Sequence, residues 1–121
     1  MAEEDSLKRT DETTIAELRE LVSEFVHERN WEQYHTPKSL SEAISIESAE
    51  LLENFLFQPD SHLPADIEKV TDEMADIFVY LMSLANTLQL KSFSEEVYRK
   101  MIKNRQKYPI EKFSGNNYSK Q

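Results

Sequence analysis

The chain has 121 residues, 39% of them hydrophobic and 31% charged, with 23 acidic against 14 basic side chains and a formal net charge of -9. That length suits one domain with a modest core, and the balance excludes a disordered acidic tail, a membrane-spanning chain and, through its negative field, a long nucleic acid as partner. With no cysteine and a single glycine, Gly115, disulfides and thiolate metal sites are excluded, as is a glycine-rich phosphate loop.

Residues 1–12 are polar and are expected to form a disordered N-terminal segment. They lack the apolar stretch of a secretory signal, so a cytoplasmic location is expected. Thr14-Ile-Ala-Glu17 reads as a capping box. It opens a helix in which Ile15, Leu18, Val22, Phe25 and Val26 recur at helical spacing, ending near Asn30. The stretch NWEQYHTPKS over 30–39 is a connector, where Pro37 biases Thr36 away from helical geometry. Ser39-Leu-Ser-Glu42 reads as a second capping box, predicting a helix to about Phe57 with Leu40, Ala43, Ile44, Leu51 and Phe55 on one face.

QPDSHLP is a turn, and Pro64 suits the first turn of a third helix. That helix is predicted over 64–88, roughly 37 Å long, with Ile67, Val70, Met74, Ile77, Leu81, Leu84 and Leu88 recurring along it. Ser92-Phe-Ser-Glu95 opens a fourth, carrying Phe93, Val97 and Met101, and Pro109 ends it. Residues 111–121 read as a polar C-terminal tail. Nothing alternates as a sheet demands and no internal repeat is present. Four helices with short connections predict an all-α, four-helix bundle-like fold, with 13–110 as the helical domain.

The chemistry lies in the acids. Glu47 and Glu50 are three residues apart, as are Glu73 and Asp76, which places each pair on one side of a helix. By the 100° wheel Glu47 falls inside the apolar stripe of its helix and Glu50 on the margin. Glu73 borders the apolar face of Val70, Ile77 and Leu84, and Asp76 lies further round. Tyr80 falls between these two in azimuth, one turn on. A lone buried carboxylate is costly and tends to become neutral, so the arrangement calls for a cation. All-oxygen ligands without sulfur point to a hard ion, Mg²⁺ first and Mn²⁺ second. Among 23 acidic residues, pairs three apart also arise by chance, and an acidic helical interaction module fits the same spacing.

Trp31, Tyr34 and His35 crowd the first connector, with Lys38 after them. An aromatic ring and a cation beside a carboxylate metal site suit a nucleotide, through stacking and phosphate contact. Each residue by itself also fits a structural role, as do Phe57 and Tyr80. Lys103, Asn104, Arg105 and Lys107 form a basic patch in an acidic chain, suited to a triphosphate, although cations at a helix C-terminus are favourable without a ligand. His27, His35 and His62 show no zinc-ligand spacing. No hydroxyl has an evident base, so water is the economical nucleophile. A ferritin-like di-iron bundle would require Glu-x-x-His pairs, and neither Glu47 nor Glu73 has a histidine at that spacing.

The runs WEQYHTPKSLSEAISIESAELLENFLF, VTDEMADIFVYLMSLANTL and KMIKNRQKYP together resemble the MazG-like nucleotide pyrophosphohydrolases of the all-alpha NTP pyrophosphatase superfamily. Within it they come nearest to the dCTP pyrophosphatase branch. The resemblance covers roughly residues 14–115. It implies cleavage of a nucleoside triphosphate, dCTP or a modified cytidine nucleotide, to the monophosphate and pyrophosphate. It implies catalytic, Mg²⁺-binding roles for Glu47, Glu50, Glu73 and Asp76. It also implies substrate contacts from Trp31, His35, Lys38, Phe57, Tyr80, Lys103, Asn104, Lys107 and Tyr108, and assembly as a homodimer or homotetramer. Three departures stand out: Ser39 where asparagine is common after the basic residue, Phe57 where tryptophan is common, and Asp72-Glu73 in place of Glu-Glu.

Overall fold

The computed structural model describes residues 12–115, and every regular element among them is helical. In chain order these are α1 (Ile15–Glu28), a short 3₁₀ turn (Glu32–Tyr34), α2 (Pro37–Glu53), α3 (Ile67–Thr87), α4 (Phe93–Lys107) and the single turn α5 (Ile110–Phe113). Contacts divide the chain after Leu90, with α1, α2 and α3 in one unit and α4 and α5 in the other.

The caps explain the boundaries. Thr14 accepts from the Glu17 backbone N–H at 3.1 Å, and the Glu17 carboxylate accepts from the Thr14 N–H at 3.3 Å, the expected capping box. At α2 the box lies three residues upstream of the Ser39 predicted from the sequence. Thr36 accepts from the Ser39 N–H and Ser39 Oγ accepts from the Thr36 N–H, each at 3.0 Å. Serine here does the work usually given to glutamate at that position. Pro37 then occupies the first helical position, where its missing N–H costs nothing. At α3 Pro64 stays outside the helix, because Asp66 is the stronger cap and accepts from the Lys69 N–H at 3.2 Å. The predicted end of the second helix at Phe57 moves back to Glu53, where Asn54 caps and a run of tight turns follows.

α1 and α3 both end in the same left-handed exit. Asn30 and Gln89 have φ of 55° and 56°. The Asn30 and Trp31 N–H groups bond back to the His27 and Val26 carbonyls, and those of Gln89 and Leu90 to Asn86 and Ala85. These are Schellman motifs, which satisfy carbonyls the helix leaves open. Arg19 of α1 reinforces the second one, donating to Asn86 Oδ1, the Leu90 carbonyl (2.7 Å) and the Ala85 carbonyl (3.1 Å).

α3 is the spine of the first unit, packing against both α2 and α1. The core draws on its C-terminal half, where Met82 and Ala85 are buried, with Val22 and Val26 of α1 and Leu40 of α2. Burial of a side chain of this size stabilises by about 1.5–3 kcal/mol. The N-terminal half of α3 carries no such core; Ile67 and Met74 are more than half exposed there, and the acidic residues lie along this less covered stretch.

In the second unit Ser92 caps α4 by accepting from the Glu95 N–H at 3.2 Å. Pro109 ends it as predicted. The chain then forms α5, so the first residues of the expected C-terminal tail are helical, with Tyr108 and Phe113 in edge contact at 5.3 Å. The remainder of that tail, 116–121, and the expected disordered segment up to residue 11 lie outside the described residues. No helix among the described residues is long and apolar enough to cross a membrane.

Candidate active site

Glu47 from α2 and Glu73 and Asp76 from α3 bring one carboxylate oxygen each to within 4.8 Å of one another. The i, i+3 spacing on α3 sets two of them on one side of that helix. Packing of α2 on α3 supplies the third. Glu47 Oε2 and Glu73 Oε2 are shut from solvent and meet no hydrogen-bond partner among the described residues. Two acceptors cannot satisfy each other unless one carries a proton. That is why the neighbouring Glu73 carboxylate, burial, and the charges of Glu50 and Asp76 raise the Glu47 carboxyl from 4.5 to about 7. Such a cluster of hard oxygen donors can hold a metal ion.

Glu50 is exposed and stands outside the three converging oxygens, although it is close enough to act on Glu47. The structure thus brings three of the four predicted acids together and leaves the fourth at the solvent side.

A cavity of about 590 Å³ adjoins the cluster. Glu47, Asp76 and Tyr80 line it together with Trp31 and His35, so residues distant in sequence share one wall. Trp31 reaches it because the Schellman exit turns the chain back over α1, setting its ring edge-on to Phe25 at 5.6 Å. Arg29 stacks on the same Phe25 ring, 3.8 Å from its centroid. Leu21, Val22, Phe25 and Val26 of α1 and Val79 of α3 supply the apolar part of the lining, while Glu24 and Glu28 add carboxylates.

Residues 43–120 match the MazG-like family. The chain belongs to the MazG-like family. The dCTP pyrophosphatase 1 of Bos taurus is 35% identical over 107 residues, 84% of this chain and 63% of its own length. That of Homo sapiens is 34% identical over 104 residues, 81% of this chain and 61% of its own. The MazG-like chain therefore spans less than two thirds of the length of these mammalian relatives. The crystal structure of a pyrophosphatase from Archaeoglobus fulgidus shares the fold with a TM-score of 0.74 and 38% identity, covering 85% of this chain and 99% of that one.

Other sequence-predicted residues of the MazG-like chain lie elsewhere. Lys38 is exposed on the first turn of α2 and does not line the cavity. Phe57, in the α2–α3 connection, is 96% exposed with φ of 63°, and is also outside the cavity lining. Lys103, Asn104 and Lys107 lie on α4, and Tyr108 is its cap. The α1 wall went unrecognised in the sequence, because its apolar spacing looks like any core-facing stripe. Ser83 also went unrecognised, although its position is legible. It follows Asp76 and Tyr80 at i+7 and i+3, on the same helical row.

Proposed function

We propose that this protein is a Mg²⁺-dependent nucleoside triphosphate pyrophosphohydrolase. It hydrolyses a (d)NTP, dCTP or a modified cytidine nucleotide, to the monophosphate and pyrophosphate, with Mn²⁺ as a substitute ion. The observation that carries this reading is the pair of solvent-shut, unpartnered oxygens on Glu47 and Glu73, converging with Asp76 beside a cavity lined by Trp31 and His35. The names of the mammalian relatives and of the archaeal pyrophosphatase support it. A helical interaction module has no use for two orphaned carboxylate oxygens, which cost stability unless neutralised.

When bound, a divalent ion neutralises phosphate charge and stabilises the leaving pyrophosphate. Glu47, Glu73 and Asp76 would hold it. Glu50, at the solvent side, serves as a fourth ligand or as the base that takes the proton of the attacking water. Water attacks the α-phosphorus, the bond to the bridging oxygen breaks, and pyrophosphate carries away the electron pair. Trp31 and His35, on the cavity lining, frame the base and Tyr80 flanks the sugar, and the resemblance adds Phe57, outside that lining, to the substrate contacts. The resemblance assigns Lys38, Lys103, Asn104, Lys107 and Tyr108 to sugar and phosphate contacts. The proposed bounds of the MazG-like helical domain are residues 13–110.

The exposed apolar side chains Ile46, Leu52, Leu63 and Ile67, each more than half exposed, support assembly as a homodimer or homotetramer, since a chain this small gains by covering them. A cytoplasmic location goes with this reading, since such triphosphates are drawn from the nucleotide pool there. Incubation with each common dNTP, with Mg²⁺ or with EDTA, tests the reading. Monophosphate and pyrophosphate should appear only with Mg²⁺; no turnover of any triphosphate overturns it, and orthophosphate in place of pyrophosphate revises the bond cleaved.

A further inference from the structure

Ser83 is 4% exposed, the buried polar residue of the described core. Serines within helices commonly bond back to the carbonyl four residues earlier. Ser41 and Ser45 do so here, at 2.7 and 3.1 Å. Among the described residues Ser83 Oγ has no such bond and no other partner. The Ser83 hydroxyl is not among the side-chain atoms shut from solvent, so it is not sealed in the core. It lines the 590 Å³ cavity and also a second, polar cavity of about 370 Å³. Val26 and His35 are the other residues common to both. The hydroxyl and the imidazole are thus the polar side chains that line both cavities.

The placement along α3 gives the reason. Asp76, Tyr80 and Ser83 rise on one helical row. Seven residues separate the first from the last, roughly 10 Å along the axis. The acidic end takes the phosphates in the proposed reaction. An aromatic middle section follows, and the hydroxyl and imidazole close the far end, a nucleoside's length away.

We infer that Ser83 is a specificity-determining residue, whose hydroxyl hydrogen-bonds the polar edge of the nucleobase opposite His35. The inference rests on the reading of the cavity as a nucleotide site. A hydroxyl both donates and accepts, so it can meet an exocyclic amine or a ring carbonyl. A site built around such a bond discriminates against bases that leave it unmade.

Trp31 is the single tryptophan of the chain and lines the same cavity, so its fluorescence reports base binding without turnover. The full-length chain and its Ser83→Ala variant are titrated with dCMP, dTMP, dAMP and dGMP. The wild type should separate these bases by tenfold or more in Kd. Ser83→Ala should weaken the favoured base by about three- to tenfold and the others little, narrowing the spread to about threefold or less. Its melting temperature should stay close to that of the wild type, because the hydroxyl makes no hydrogen bond within the described residues. Ser83→Cys, nearly the same size and a weak donor, should narrow the spread in the same way and covers the outcome that the alanine variant fails to fold. An unchanged spread and ranking in both variants overturns the inference, as does a wild type that does not discriminate. If monophosphates are discriminated and no triphosphate is hydrolysed, the hydrolase reading falls and Ser83 stands. If no nucleotide perturbs Trp31, both fall.

Discussion

Glu47 on α2 and Glu73 on α3 each turn one carboxylate oxygen into a space closed to solvent, where neither finds a hydrogen-bond partner among the described residues. Two helices are therefore packed together at a point where their charges repel. The pair is tolerable when a proton or a cation lies between its members, and the first two predictions follow from that choice.

Without metal, a proton does the neutralising. The Glu47 carboxyl sits at about 7 in the folded chain against an ordinary 4.5. The folded state thus holds a proton that the unfolded state has released, and stability falls as pH rises from about 4.5 to about 7. Solvent at the exposed Glu50 and Asp76 softens the repulsion, so the loss is about 1–2 kcal/mol, or roughly 5 °C in Tm. Thermal melts in EDTA at pH 5 and pH 8 should show it, with Mg²⁺ restoring Tm at pH 8. A flat or rising Tm in EDTA over that range contradicts the arrangement.

Glu47→Gln replaces the raised carboxyl with a neutral amide that can donate to Glu73. In EDTA at pH 8 its Tm should exceed that of the wild type by a few degrees, on the order of 1 kcal/mol. The Mg²⁺-induced gain in Tm should disappear. Any triphosphate hydrolysis should drop by about a hundredfold or more, the scale of losing one charged group at a reacting centre. Differential scanning calorimetry with and without Mg²⁺, beside a product assay, reads all three. A variant still stabilised by Mg²⁺ as the wild type is would remove Glu47 from the ligand set.

Arg19 ties α1 to the end of α3 through three acceptors, two of them backbone carbonyls. Arg19→Ala should cost about 2 kcal/mol, the worth of charge-assisted bonds to the turn that closes α3. Arg19→Lys should recover only part of this, since an ammonium cannot fork across the same acceptors. Urea denaturation gives the numbers. The α1 wall of the cavity hangs on this tie, so nucleotide quenching of Trp31 should weaken in parallel.

Asn30 turns the chain at the end of α1 with φ of 55° and delivers Trp31 over Phe25. Glycine meets that backbone geometry without strain. Asn30→Gly should therefore stay within about 0.5 kcal/mol of the wild type, whereas Asn30→Val, β-branched, should lose about 1–2 kcal/mol. Equal denaturation midpoints for the two variants would refute the role given to this turn.

Local signals carried far in this chain. Periodic apolar residues, Thr14 and Ser92 as caps, and Pro109 as a stop are short-range effects, so the four long helices were legible within a few residues. Competing local signals explain the misplaced ends. Thr36 with Pro37 outbids Ser39 as the start of α2, and Asp66 outbids Pro64 at α3. The spacing of Glu47, Glu50, Glu73 and Asp76 was equally plain, and Glu47 already broke its apolar stripe.

Convergence was decided elsewhere. Only the packing of α2 on α3 joins Glu47 to Glu73 and Asp76, leaves Glu50 in solvent and orphans two of their oxygens. Only the packing of α1 on α3 makes a cavity wall of what reads locally as a core stripe, and sets Ser83 on the lining of that cavity. A helix wheel gives the azimuth of each side chain about its own axis. Which azimuths of two helices face each other is fixed by contacts far apart in sequence, and the proposed chemistry of this site depends on that second relation.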